Sequence, residues 1–250
     1  MAARVRIHHG DALAVLPTLD TGSVDAVITD PPYSSGGAFR GDRVQDVHTK
    51  YVNGDSLSGQ ALPAFTGDVR DQRSHLAWCA LWLSQCQRVL APGGVCAVFT
   101  DWRQLPTTTD ALQVGGFVWR GIVPWHKPNG RRVQGRYANA CEYIVWGTNG
   151  PRALDTIPNA LPGFYQANTL RERVHITQKP MEVMRELVKI CPPGGTILDP
   201  FAGSGATGIA AVSEGRDFIG VELADHYAQL AEERILAAAG HAAPAQGTLL

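Results

Sequence analysis

The chain has 250 residues, 44% hydrophobic and 18% charged, with a net charge of −1. That composition belongs to an ordinary globule with room for a substantial core, and it supplies no overall basic field that would advertise nucleic acid. Five cysteines without C-x-x-C spacing argue against a disulfide framework. No signal-like N-terminus or long apolar run occurs, so a cytoplasmic protein with no membrane partner is expected.

In chain order, residues 4–9 read as a short strand, followed by Gly10-Asp11 and an amphipathic stretch over 12–19. The apolar run Val24–Thr29 reads as a buried strand that ends at Asp30-Pro31-Pro32-Tyr33. Residues 34–73 carry almost no apolar periodicity, and an insertion of that length is expected to be mobile or functional. Helical spacing returns over 74–90, broken by Pro92-Gly93-Gly94 before a strand at 95–100. A helix at 103–114 leads to strands at 117–124 and 141–146, and 151–174 reads as irregular. A helix over 180–190 and a strand at 196–198 precede a glycine turn, which opens a helix over 205–212. A strand at 218–221 and a closing helix at 224–239 complete the chain. This alternation predicts an α/β fold with a mainly parallel sheet covered on both faces, as one domain spanning 1–250.

Two segments carry the chemistry. The prolines of Asp30-Pro31-Pro32-Tyr33 stiffen a loop at a strand's C-terminal end, where open α/β sheets bind ligands. The loop holds a carboxylate and an aromatic ring at fixed separation, which suits a flat, polar-edged substrate such as a nucleobase. Far downstream, Asp199-Pro200-Phe201-Ala202-Gly203-Ser204-Gly205 follows a strand and opens a helix. Gly203, Gly205 and Gly208 match G-x-G-x-x-G, and Glu222 lies 19 residues past Gly203, where an acid meets ribose hydroxyls. Alone, that pattern suggests a nicotinamide-dependent oxidoreductase. Only 28 residues follow Glu222, however, so the rest of the sheet must come from upstream, the reverse of the usual dinucleotide-binding order.

With both motifs in view, the chain resembles the DNA amino-methyltransferases, which methylate exocyclic amines of adenine or cytosine using S-adenosylmethionine. Asp30–Tyr33 resembles their catalytic motif and Asp199–Gly205 their cofactor motif, in the circularly permuted order of the β class. His175-Ile176-Thr177-Gln178-Lys179-Pro180 is similar to the family's Thr-Gln-Lys-Pro segment, and Gly10-Asp11 sits where the family places an acid against the cofactor's adenine. The resemblance implies a Rossmann-like methyltransferase fold with a seven-stranded sheet. It implies cofactor contacts at Asp11, Thr177, Lys179, Asp199, Phe201, Gly203, Ser204, Gly205 and Glu222. It implies catalytic roles for Asp30, Pro31, Pro32 and Tyr33: the Asp30 carboxylate and the Pro31 carbonyl accept the amino hydrogens while Tyr33 stacks on a flipped base.

Aspartate in the first motif position is commoner for adenine, so an adenine-N6 enzyme of restriction-modification type, specific for a DNA site, is expected, with cytosine-N4 as the alternative. An idle DNA-binding module and the oxidoreductase are the remote readings. From Ala111 to Cys141 there is no acid, yet there are Arg120, Lys127, Arg131, Arg132 and Arg136, interleaved with Trp119, Trp125 and Tyr137. Lys127, Arg131, Arg132 and Arg136 are therefore expected on DNA phosphates, with target recognition at about 125–139 and 151–174. Trp78 and Trp82 share a helix face that reads as core or as the interface of a homodimer, which β-class relatives commonly form. His8-His9 near Asp11 lacks a third ligand at sensible spacing, so no metal is expected.

Overall fold

The computed structural model describes residues 3–34, 70–130, 132, 134–169 and 179–240. In chain order these form β1 (Val5–His9), α1 (Ala12–Val15), β2 (Val24–Thr29), α2 (Gln72–Val89), β3 (Leu90–Thr100) and α3 (Leu105–Val114). There follow β4 (Val118–His126), β5 (Cys141–Thr148), β6 (Tyr165–Gln166), α4 (Met181–Leu187), β7 (Thr196–Asp199), α5 (Ala206–Ser213), β8 (Asp217–Glu222) and α6 (Asp225–Ala238). Short 3-10 turns extend α1 and α4. All but Ser34 and residues 70–73 of the 34–73 insertion lie outside the described residues.

The strands join one sheet in the order β1-β8-β7-β2-β3-β5-β4-β6. Only β5 runs against the others, pairing antiparallel with both β3 and β4. Successive side chains point to opposite faces, and the core divides accordingly. Ala26, Ile28, Ala97 and Phe99 pack with buried residues of α4, α5 and α6 on one side. Val27, Cys96 and Val98 pack with α1, α2 and α3 on the other. A sheet covered on both faces requires strands apolar throughout, which is why β2 reads as a run rather than an alternation.

Helix α2 starts where Asp71 accepts from the backbone N–H groups of Arg73 and Ser74, at 3.0 and 2.9 Å. Its buried face, His75, Cys79, Trp82, Leu83, Cys86 and Val89, follows the helical period. Trp82 is fully buried, and Trp78 packs on the Phe201 ring at 5.3 Å. The face expected as core or dimer interface is thus core at Trp82, and it braces the loop after β7 through Trp78.

Two expectations are corrected. The sheet has eight strands rather than seven: β6, read as irregular chain, adds to β4 through Trp125–Tyr165 and His126–Gln166. A two-residue strand is too short to show alternation, and the Trp125 indole fastens it by donating to the Ala167 carbonyl at 3.0 Å. Strand β3 begins at Leu90 rather than Val95, since Val24 pairs with Leu90 while Ala26 pairs with Val95. Pro92-Gly93-Gly94 is therefore a bulged excursion within the strand and not a break before it.

Candidate active site

The chain leaves β2 towards β3 on one side and leaves β7 towards β8 on the other, so β2 and β7 flank the point where strand order reverses. Ligands of open α/β sheets bind outside the strand ends at that point. Here those ends carry Asp30–Tyr33 and Asp199–Gly205, the two segments singled out from sequence. A buried hydrogen bond ties the strands together: the Thr29 hydroxyl donates to Asp199 Oδ1 at 2.7 Å.

Asp199 is fully engaged with the protein. Its Oδ1 also accepts from the Phe201 N–H at 3.0 Å, and its Oδ2 from the Thr207 hydroxyl at 2.6 Å. Expected against the cofactor, the carboxylate instead shapes the glycine turn from beneath. Burial pushes its pKa up to about 6. A raised folded-state pKa means the fold holds the proton more tightly, so stability falls as pH rises from about 4 through about 6 and is flat above. Asp199→Asn keeps an acceptor for Thr29 and has no charge to bury. Its stability relative to the parent should rise by about 3 kcal/mol between pH 4 and pH 7, read from urea unfolding at several pH values. A difference independent of pH would show that the carboxylate ionises in place without penalty.

The turn itself has Gly203 at φ 53° and Gly205 at φ 85°, left-handed conformations that favour glycine. A Cβ on Gly205 would press on Ile235 and on the backbone of Ala231 in α6, so Gly205 serves helix packing rather than ligand approach. Ser204 is buried, its carbonyl accepting from Arg234. Glu222, at the end of β8, receives the Gly203 N–H on Oε2 at 2.9 Å and the Ala224 N–H on Oε1 at 2.8 Å. Each carboxylate oxygen keeps a lone pair beside the turn. Asp11 follows at the next strand end, capping α1 by accepting from the Leu13 N–H at 2.8 Å, with the Gly10 N–H on the Glu222 carbonyl. Asp11, Glu222, Gly203 and Asp30 therefore occupy successive strand ends along one edge of the sheet. Thr177 and Arg131 lie outside the described residues.

Around Asp30 the side chains form a closed ring of charge. Lys179 Nζ is 2.5 Å from Asp30 Oδ2 and 3.3 Å from Glu142 Oε2. The Tyr33 hydroxyl is 2.5 Å from Asp30 Oδ1 and 3.2 Å from Glu142 Oε2. Lys127 Nζ closes the far side of Glu142 at 2.9 Å. Lys179, expected on the cofactor, is instead a buried ion partner of the catalytic-motif carboxylate, its ammonium 5.3 Å from the Tyr33 ring centroid. Lys127, expected on phosphate, has a side chain only 15% exposed and is paired inward.

Burial would raise the Glu142 carboxyl, but Lys179 and Lys127 outweigh it and hold the group down at about 2. Burial also raises the Tyr33 hydroxyl, reinforced by Asp30 and Glu142, so Tyr33 stays a neutral phenol and a hydrogen-bond donor. For Lys179, burial acts against the charge, but Asp30 and Glu142 prevail and the ammonium is retained.

Glu142 was not singled out from sequence. It sits at the start of β5, and because β5 alone is reversed, that start lies at the edge where the parallel strands end. A signal existed: Glu142 is the residue that ends the acid-free stretch from Ala111 to Cys141. The turn after β3 is a second support. Asp101 Oδ1 accepts from the N–H groups of Arg103 and Gln104, both at 3.0 Å. The Gln104 amide then donates to the Ser34 carbonyl at 3.0 Å, bracing Ser34, held at φ 53°, just after Tyr33. Of the remaining basic residues, Arg132 and Arg136 are exposed, as is Tyr137, whereas Trp125 is buried. Among the described residues no group of three or more His, Cys, Asp or Glu could hold a metal ion.

The chain was compared with known proteins. YubD of Escherichia coli (strain K12) is 29% identical over 234 residues, covering 93% of this chain and 90% of that protein. The type II methyltransferase M.HinfI of Haemophilus influenzae is 27% identical over 252 residues, covering 90% and 67%. The crystal structure of the DNA modification methylase TTHA0409 of Thermus thermophilus in complex with S-adenosyl-L-methionine superposes with a TM-score of 0.66. It is 25% identical, and the match covers 94% of this chain and 95% of that one. The family model described as DNA methylase, for N6 and N4 enzymes, matches residues 24–167 and 158–233. With both motif loops at one switch point and most of its length matched, this chain belongs to the DNA methylase family.

Proposed function

We propose that the chain is an S-adenosylmethionine-dependent, site-specific methyltransferase acting on the N6 amine of adenine in duplex DNA. The observation that carries the reading is the Asp30 carboxylate, anchored by Lys179 and Tyr33, one strand away from the Gly203–Glu222 turn. The residues at the turn fit a nucleoside cofactor. Glu222 has acceptor lone pairs for ribose hydroxyls, Gly203 brings bare backbone close, and Asp11 is exposed at the adjacent strand end.

When bound, S-adenosylmethionine supplies a methyl group already activated as a sulfonium. The difficulty is then the nucleophile, because an exocyclic amine delocalises its lone pair into the ring. Asp30 and the Pro31 carbonyl accept the amine's two hydrogens and favour a pyramidal nitrogen, and Tyr33 stacks on the base to fix its plane. Positioning of this kind supplies ~7–11 kcal/mol and general-base assistance ~10²–10⁴-fold. Taking the base out of the duplex costs a few kcal/mol, of which stacking returns ~1–3. Aspartate at position 30 supports adenine. Cytosine N4 presents the same amine, and nucleoside mass analysis of DNA methylated by the purified protein separates the two. 6-Methyladenine is expected, and 4-methylcytosine would overturn the choice of base.

DNA contact is assigned to Arg132 and Arg136, together with Arg131, and target reading to about 125–139 and 151–174. Replacing Arg132 and Arg136 by alanine should weaken binding at all sequences and lower the slope of log affinity against log salt by about one unit per lost contact. Single-turnover rates at saturating DNA should hold. A full salt slope in that variant would put the phosphates elsewhere. The reading also carries a homodimer on DNA, which sedimentation at micromolar concentration checks; a monomer both with and without DNA would refute it.

A further inference from the structure

The Tyr33 hydroxyl has one hydrogen and two carboxylates within reach, Asp30 Oδ1 at 2.5 Å and Glu142 Oε2 at 3.2 Å. It donates to the nearer. That bond draws charge from the very oxygen that must receive an amine, and it stands on the approach to it. Asp30 Oδ2 is held separately by Lys179. Glu142 gains nothing for the fold by reaching Tyr33, since Lys127 and Lys179 already hold both of its oxygens. Its acceptor capacity towards Tyr33 is therefore surplus in the ligand-free arrangement.

We infer that Glu142 is a positioning residue whose Oε2 takes over the Tyr33 hydroxyl hydrogen bond when a target amine engages Asp30 Oδ1. The inference deepens the methyltransferase reading and rests on it. The exchange is a rotation of the hydroxyl hydrogen. No covalent bond forms or breaks, the phenol stays neutral, and both carboxylates keep their charge. Lys179 bridges the two carboxylates throughout and keeps Oδ2 in place while Oδ1 changes partner. Lys127 sustains the charge of Glu142, which makes it an acceptor comparable to Asp30 and lowers the barrier to the exchange. The arrangement leaves Asp30 neither unpartnered before the base arrives nor over-supplied with donors afterwards.

The test is a double-mutant cycle read by single-turnover transfer of labelled methyl groups to DNA at saturating cofactor and DNA. Glu142→Gln puts a neutral amide where the charged acceptor was, so the rate should fall about tenfold in the parent background. In the Tyr33→Phe background, with its own rate as baseline, the same substitution should change the rate less than twofold, because no hydroxyl remains to be moved. A merely structural Glu142 would lower both backgrounds equally. Equal losses, or no loss in the parent, overturn the inference. Cofactor affinity within twofold of the parent, measured by calorimetry, certifies that each variant is folded. If Glu142→Gln fails that criterion, Glu142→Asp, which withdraws the oxygen by one methylene and keeps the charge, is carried through the same cycle with the same two outcomes. Parent protein that transfers no methyl group to DNA removes the underlying reading itself, whereas an active parent with an additive cycle removes only the role of Glu142.

Discussion

Asp30→Ala should lower the rate of methyl transfer by ~10²-fold or more while leaving cofactor and DNA binding nearly intact. The carboxylate acts on the nitrogen as it attacks, so its loss falls on the transition state rather than on the bound state. The surroundings make this a clean substitution. Removing Asp30 leaves Lys179 with Glu142 at 3.3 Å, and Glu142 with Lys127 at 2.9 Å, so the buried charges remain paired. The variant should fold, and single-turnover kinetics beside calorimetric cofactor binding separate the two effects. A variant that methylates at the parent rate would show that another group accepts the amine. One that loses cofactor binding would show that the ring around Asp30 supports the glycine turn as well.

Gly203→Val should abolish S-adenosylmethionine binding, since a side chain there would occupy the space of the cofactor. The residue lies at φ 53°, which a β-branched residue adopts only under strain, so some stability is lost as well. The neighbouring glycine separates the two causes. Gly205→Ala places its methyl against Ile235 and Ala231, away from the ligand, and should lower stability by ~1–3 kcal/mol with a smaller loss of affinity. Thermal unfolding together with calorimetry decides between them. Parent-like affinity in folded Gly203→Val would remove the glycine turn from the cofactor site.

The glycine turn also marks where local pattern stops being informative. Gly203, Gly205 and Gly208 are equivalent in the sequence motif, yet a Cβ on Gly208 would lie 2.3 Å from Ile235 Cδ1 and 2.7 Å from the Phe218 ring. Its role, like that of Gly205, depends on α6, a helix some twenty residues further along. Asp199 misleads in the same way. A carboxylate beside a cofactor motif reads as a ligand contact, but its three partners, Thr29, Phe201 and Thr207, turn it into the bolt between β2 and β7.

What the sequence determined by itself was the alternation of strands and helices, nearly all of their boundaries, and the two loops that carry the chemistry. These depend on short-range physics: apolar runs that must be buried, prolines and glycines with restricted or permissive backbones, and motif residues only a few positions apart. What the tertiary structure alone decided was which charges meet. Asp30, Glu142 and Lys179 are distant in the chain and converge because β2 and β7 are neighbours and because β5 is reversed, which brings its first residues to the edge where the other strands end. Lys127 read as one member of a basic stretch, and the pairing that turned it inward is a register between β4 and β5. Periodicity reports which face of its own element a residue occupies. The partner across the sheet follows from strand order and direction, and no local pattern encodes those.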